Sequence, residues 1–354
     1  MLTETRLLAV MLLCALQPGC YVIQAANGEM QVLDHRRPIP EVIADPATPP
    51  KLRATLSEVN AAREFASREL KLPDNKSYRT YSDVQRPYVV WNVVAAPEFS
   101  LVPKHWCFPV AGCVAYRGYF HQHAARSLAA ELRSQGYDVV VEGVPAYSTL
   151  GRFADPVLNT MLPYGTTELA GIIFHELAHQ LLYVPGDTSF NEAFATTVED
   201  AGLERWLLSR GNRAALERYR AESAEDRAVL HVLERYRAEL VRLYDSGQPA
   251  VAMRARKHAI FDELAAALRA REKQSGKPSV YDAWLDEGLN NAELAAIDTY
   301  YDCVPGFQRM LREDGGDLER FYTHVRALAK QPKTERDARV CSDSNGDQRS
   351  VEVR

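Results

Sequence analysis

Residues 175–179 read His175-Glu176-Leu177-Ala178-His179, an H-E-x-x-H pattern. On a helix, side chains four apart share a face, with Cβ atoms about 5–6 Å apart. Two imidazoles so placed can converge on one Zn²⁺ ion. Glu176 lies about 100° round the helix from His175. From there it borders a metal without binding it, the place for a general base acting on a zinc-bound water. A tetrahedral site that does chemistry needs a third protein ligand and one open position. Glu192, thirteen residues after His179, is the candidate. Ser189 stands three residues before it, so Glu192 could instead belong to a capping box. We read it as the third ligand, because the two histidines otherwise lack one. The expectation is one Zn²⁺ per chain, bound by His175, His179 and Glu192.

Elements must bring these residues together. The stretch Leu169-Ala-Gly-Ile-Ile-Phe174 leads apolar into the motif, with Thr166 and Thr167 as possible helix caps. Pro185 and Gly186 break the pattern, and a second helix opens near Asn191-Glu192. A short turn allows the two helices to run antiparallel. Upstream, residues 51–71 have helical spacing and 88–103 read as strand. Val114 to Phe120 is a second candidate strand. His123 to Ser134 reads as a helix, and a short strand starts at Tyr137. Beyond residue 155 the pattern is helical almost throughout, with further helices over 223–245, 252–272, 290–302 and 317–330. The predicted fold class is α+β: a small mixed sheet in the N-terminal half, then a mostly helical C-terminal half. The expected organisation is a leader over 1–19, an extended segment over 20–50, a catalytic core over 51–200, a helical domain over 201–335 completing the cleft, and a polar tail over 336–354.

The 354 residues carry 47 acidic and 42 basic side chains, for a net charge of −5. Apolar residues make up 46% and charged residues 25%, which is ordinary globular composition and argues against disorder. No run of 18 apolar residues exists, which excludes a multi-pass membrane protein. Basic residues within 204–272 alternate with acidic ones, the signature of a solvated helical surface rather than of nucleic-acid binding. Residues 7–16 form an apolar run behind Arg6, too short to span a bilayer but suited to an export signal. It ends at Gln17-Pro18-Gly19-Cys20, which resembles a bacterial lipobox with Cys20 as the lipidated first residue. A plain secretory signal or an uncleaved anchor are the alternatives. Lipidation would anchor the chain to the envelope membrane, facing the periplasm. Tyr21, rather than Asp, after the cysteine favours the outer membrane. Four cysteines remain, Cys107, Cys113, Cys303 and Cys341. An even number in an exported chain allows three pairings, or four free thiols. The turn-rich loop between Cys107 and Cys113 favours that pair, which leaves Cys303 with Cys341.

H-E-x-x-H followed by Asn191-Glu192-Ala193-Phe194-Ala195 resembles the gluzincin zinc metallopeptidases. The wider chain is similar to a family of predicted bacterial aminopeptidases that are often envelope lipoproteins. The residues carrying this are Trp106-Cys107-Phe-Pro-Val-Ala-Gly-Cys113, Tyr116-Arg-Gly-Tyr-Phe120, Pro145-Ala-Tyr-Ser-Thr-Leu-Gly151, Ile173 to Gln180 and Phe190 to Ala195. The resemblance implies zinc-dependent hydrolysis of peptide bonds, with Glu176 as the general base. The alternative is a zinc-stabilised envelope lipoprotein without catalysis. It also implies a zincin-like fold, in which an edge strand above the H-E-x-x-H helix pairs with substrate backbone. The segment from Val140 to Thr149 is the candidate, with Tyr147, Ser148 and Thr149 as substrate contacts. Glu142 is the candidate to hold a substrate's free amine. An oxyanion donor is expected downstream, at Tyr300 or Tyr301. Thermolysin-like enzymes carry an Asp four residues after the ligand Glu, where this chain has Thr196. Glu199 or Asp200, one turn further on, would then orient a ligand histidine.

Overall fold

The computed structural model describes residue 21 and residues 23–108, 112–276, 285, 288–301 and 303–341, with backbone only for 297–301. Cys20 and the expected leader over 1–19 lie outside the described residues.

Residues 23–34, expected to be extended, form a helix, α1. The breakers of this region, Pro38, Pro40, Pro46, Pro49 and Pro50, all come later in the chain, and α1 buries Val32 in the core. After β1 (Arg36–Pro38) come two helices with proline in their first turn, α2 (Ile39–Ala44) and α3 (Pro50–Arg68). Proline suits that position because its missing N–H would have no helical partner there.

Strand β2 (Thr80–Ser82) lies between β1 and β8 (Val157–Leu158), antiparallel to the first and parallel to the second. The principal sheet is antiparallel: β3 (Val90–Pro97) runs between β6 (Tyr116–Tyr119) and β7 (Tyr137–Val144). A hairpin of β4 (Trp106–Phe108) and β5 (Gly112–Val114) precedes β6, with Cys107 opposite Cys113 and disulfide-bonded to it. Alternate residues of the central strand point to opposite faces. Trp91, Val93 and Ala95 pack on Ala125, Ala129 and Leu132 of α4 (Gln122–Ser134). Val94, with Val140 and Tyr116, faces Ala292 and Ala296 of α9 (Asn291–Tyr301). Both faces are thus covered, and seven of the eight β3 residues are buried.

A 3₁₀ turn (Asn159–Tyr164) leads into α5 (Thr166–Leu181) and α6 (Thr188–Ser209). Helices α7 (Arg213–Tyr244) and α8 (Ala250–Ser275) form a hairpin with its own apolar seam, including Leu233, Leu240, Ile260 and Leu264. Lys257 of α8 bonds Asp138 Oδ2 at 2.5 Å and the Glu98 carbonyl at 2.9 Å, which ties the hairpin to the principal sheet. The chain closes with α10 (Val304–Glu313), α11 (Leu318–Leu328) and α12 (Lys333–Val340).

The expected boundary at residue 200 does not appear as a break. Helix α6 runs through it, and one core extends from Val32 to Val340 through α3, α5, α6, α10 and α11. Residues 336–341, the start of the expected polar tail, belong to the folded structure. Arg336 of α12 is buried against Asp187 Oδ2, at 2.7 and 2.9 Å, and Cys341 is bonded to Cys303. Among the described residues, no helix is long and apolar enough to cross a membrane.

Candidate metal centre

Gly165 precedes helix α5 as its N-cap, with a φ of 95° in the region that favours glycine. The helix's apolar residues Leu169, Ile173, Phe174 and Leu177 enter the core. A turn at Pro185-Gly186, with Gly186 at φ 80°, reverses the chain. Asn191, fully buried, holds that turn: its amide bonds both the N–H of Val184 (2.7 Å) and the carbonyl of Val184 (2.8 Å). Its neighbour Glu192 is thereby fixed opposite the histidines. Two glycines let the antiparallel helices approach. A Cβ on Gly202 would stand 2.8 Å from the Phe174 ring, and one on Gly171 would stand 2.7 Å from Glu199 Oε1.

The three candidate ligands meet at one point. His179 Nε2 lies 3.1 Å from His175 Nε2, His175 Nε2 lies 3.2 Å from Glu192 Oε2, and His179 Nε2 lies 3.5 Å from Glu192 Oε2. Ligands held about 2.0–2.1 Å from a tetrahedral zinc are separated from one another by roughly 3.3 Å. The observed triangle has that size, and its donor set of two imidazoles and a carboxylate is one that zinc takes. Glu192 does not cap α6. The helix begins at Thr188, and the Glu192 carboxylate turns to the imidazoles. On its other side His175 Nδ1 meets Glu199 Oε2 at 3.0 Å. A carboxylate on the second ring nitrogen fixes the tautomer and orientation of a ligand histidine.

The candidate ligands are also coupled electrostatically. Burial disfavours the Glu192 carboxylate, but His179 and His175 outweigh it and hold its pKa below the usual range. Burial likewise opposes the His175 cation, and the bonds from Glu192 and Glu199 raise its pKa well above the ordinary histidine value. Glu176 is pushed the other way, upward, first by burial, against the pull of both histidines.

Above this triangle opens a cleft of about 460 Å³, lined by His175, Glu176, His179 and Glu192 on one side. Tyr147, Ser148 and Thr149 line it too, in the irregular stretch that follows β7. The strand itself ends at Val144, short of the expected Thr149. Glu142 is on the sheet face opposite α4, in register with Asn92, but it does not line the cleft; its charge acts on Glu293. Asp200 turns away from the histidines and accepts bonds from Tyr219 (2.6 Å) and Gln308 (3.1 Å). Tyr300 and Tyr301 sit at the end of α9, and their side chains lie outside the described residues. All described residues that line the cleft fall between 21 and 192.

Several residues of the cleft were not singled out from the sequence. Tyr116 of β6 lines it, with its phenol pKa raised by burial and then by the Glu192 charge. Tyr183 stacks edge-on to His179, with ring centroids 6.2 Å apart. Helix α1 contributes Ala25 and Glu29, and Tyr21 lines the cleft beside them. The i, i+4 spacing of Ala25 and Glu29 was the available signal, but only if the segment was first read as a helix.

Among curated proteins and solved structures, none matches the chain. A protein-family model described as "Putative aminopeptidase" does match, over residues 20–340. That span omits only the first nineteen and last fourteen residues and includes every candidate ligand, and the chain therefore belongs to this family.

Proposed function

We propose that the protein is a zinc-dependent aminopeptidase. The observation that carries the reading is the triangle of His175, His179 and Glu192, whose separations of 3.1 to 3.5 Å suit one tetrahedral ion with a free position towards the cleft. Glu176 beside it, whose pKa burial raises, is placed to accept and return a proton. When bound, zinc would supply Lewis acidity to the attacking water and the scissile carbonyl. Glu176 would take the proton of that water and deliver it to the leaving amine. Tyr116, whose buried phenol stays protonated, would donate to the oxygen that becomes negative. The irregular stretch 145–149 would guide the substrate backbone past Glu176.

We further propose that the chain works in the bacterial cell envelope, anchored through a lipid on Cys20. The apolar run over 7–16, the two disulfides and the start of the family match at residue 20 support this. Mass spectrometry of membrane-extracted protein tests it: the mature chain should begin at Cys20 and carry acyl groups.

Glu176→Gln tests the catalytic reading. The variant should still bind one zinc per chain, and hydrolysis of aminoacyl anilides should fall by roughly 10²–10⁴-fold. Cleavage at the wild-type rate, or a wild-type protein that takes up no zinc, would overturn it.

A further inference from the structure

We propose that Glu29 binds the free α-ammonium group of the substrate, so that α1 supplies the specificity for peptide N-termini. This rests on the aminopeptidase reading above and assigns the group that would make cleavage terminal.

Three observations place Glu29. First, Ala25 and Glu29, one turn apart on α1, wall the cleft holding Glu176 and the three candidate ligands, and Tyr21 lines it beside them. Second, the helix is fixed there. Gly28 leaves no gap above Phe120, since a Cβ would stand 2.0 Å from its ring. Gln24 Oε1 accepts the Phe120 N–H at 3.3 Å, and Val32 is fully buried. Third, the carboxylate is half used. The Tyr147 hydroxyl donates to Oε2, and the Tyr147 ring is set edge-on against Phe120 with centroids 5.7 Å apart. Oε1 is buried and has no hydrogen-bond partner among the described residues.

A buried acceptor without a donor is destabilising, so its persistence beside the cleft needs a reason. The neighbouring groups do not satisfy it. Arg36, the cation whose charge acts on Glu29, gives its guanidinium to the carbonyls of Leu33 and Ala154, both at 3.0 Å. Arg86 bonds the carbonyls of Phe120 and Val89, both at 3.1 Å. Asp155, the other acid nearby, has both oxygens engaged, by Thr149 N (3.2 Å), Thr149 Oγ1 (2.6 Å) and Gln180 Nε2 (3.2 Å). What is left over is one acceptor oxygen on an acid at the cleft wall. An ammonium group, with three donors and a positive charge, complements it. A divalent cation does not, because one carboxylate supplies too few of the six or more oxygens it takes.

The test compares wild type with Glu29→Gln on leucyl-4-nitroanilide and on its N-acetylated form, alongside calorimetric binding of leucinamide. Wild type should favour the free amine strongly. The variant should lose roughly 10–100-fold in kcat/KM on the free-amine substrate, mainly through KM, and most of its preference over the acetylated one. Its zinc content should stay at one per chain. Leucinamide affinity should fall by a similar factor. Tyr147→Phe, which keeps the carboxylate but frees it to rotate, should raise KM more modestly and keeps the test open if Glu29→Gln does not fold. An unchanged KM and unchanged leucinamide affinity in Glu29→Gln would overturn the proposal. If wild type cleaves neither substrate, the peptidase reading fails, and leucinamide binding alone decides the role of Glu29: loss in the variant supports it, and equal affinity sinks it.

Discussion

His175 Nδ1 lies 3.0 Å from Glu199 Oε2, and that contact sets which ring nitrogen faces the other ligands. The sequence raised the question without answering it. Thr196 stands where thermolysin-like enzymes carry an acid, and Glu199 and Asp200 were equal replacements, one turn further along α6. Neighbouring residues on a helix differ by about 100° in direction, so only one of them can face α5. Gly171 decides which. It lies one turn before His175, and its missing side chain is the space occupied by the Glu199 carboxylate. Asp200 is committed to Tyr219 and Gln308. Removing an outer carboxylate of this kind lowers metal affinity about 10–100-fold. Glu199→Gln should therefore weaken zinc binding by that factor in a chelator competition, whereas Asp200→Asn should stay within about threefold. Equal losses in the two variants would deny Glu199 its special place.

Elements were legible where pattern and breakers agreed. The α5–α6 pair followed from an apolar run, a Pro-Gly turn and a second helix start, and β3 from its dense apolar and aromatic residues. Helix α1 was not, because the prolines that follow it coloured the whole segment as extended. Helix α10 opens with Val304-Pro305-Gly306, which reads as a break, yet Pro305 sits in the first turn where it is tolerated and Gly306 packs directly against the Val340 backbone. The docking of α9 hides an acid the sequence could not flag. Glu293 is 3% exposed between that helix and the sheet, accepting the Asn290 N–H at 2.9 Å. Burial, then the charges of Glu142 and Asp138, push its pKa up to about 8. An acid whose folded pKa is raised binds its proton more tightly when folded, so stability falls as pH rises from its unfolded value of 4.5 through about 8. Between pH 6 and 8 the melting temperature of zinc-loaded wild type should drop more than that of Glu293→Gln. Parallel slopes in calorimetry would show that Glu293 is already ionised in the fold.

At the scale of the whole molecule, the metal ligands depend on a segment that never touches them. Helix α6 presents Glu192 to the histidines, while its aromatic side packs on the C-terminal helices. Phe190 meets Phe307 with centroids 5.0 Å apart, Phe194 stacks on Phe321 at 5.9 Å, and Arg336 of α12 binds Asp187 just before α6 begins. The Cys303–Cys341 disulfide closes this segment on itself across 38 positions, whereas Cys107–Cys113 spans only 6. Cross-links constrain the unfolded chain more as the closed loop grows, by about 4 kcal/mol for the longer loop and about 2 kcal/mol for the shorter. Replacing Cys303 and Cys341 by Ser should therefore lower unfolding free energy about twice as much as replacing Cys107 and Cys113. Because one core joins α6 to α10 and α11, the loss should appear in a single urea transition for the α6 core, with zinc release coinciding with it. A C-terminal segment that melts first, leaving zinc bound, would show that α6 holds its geometry without that support.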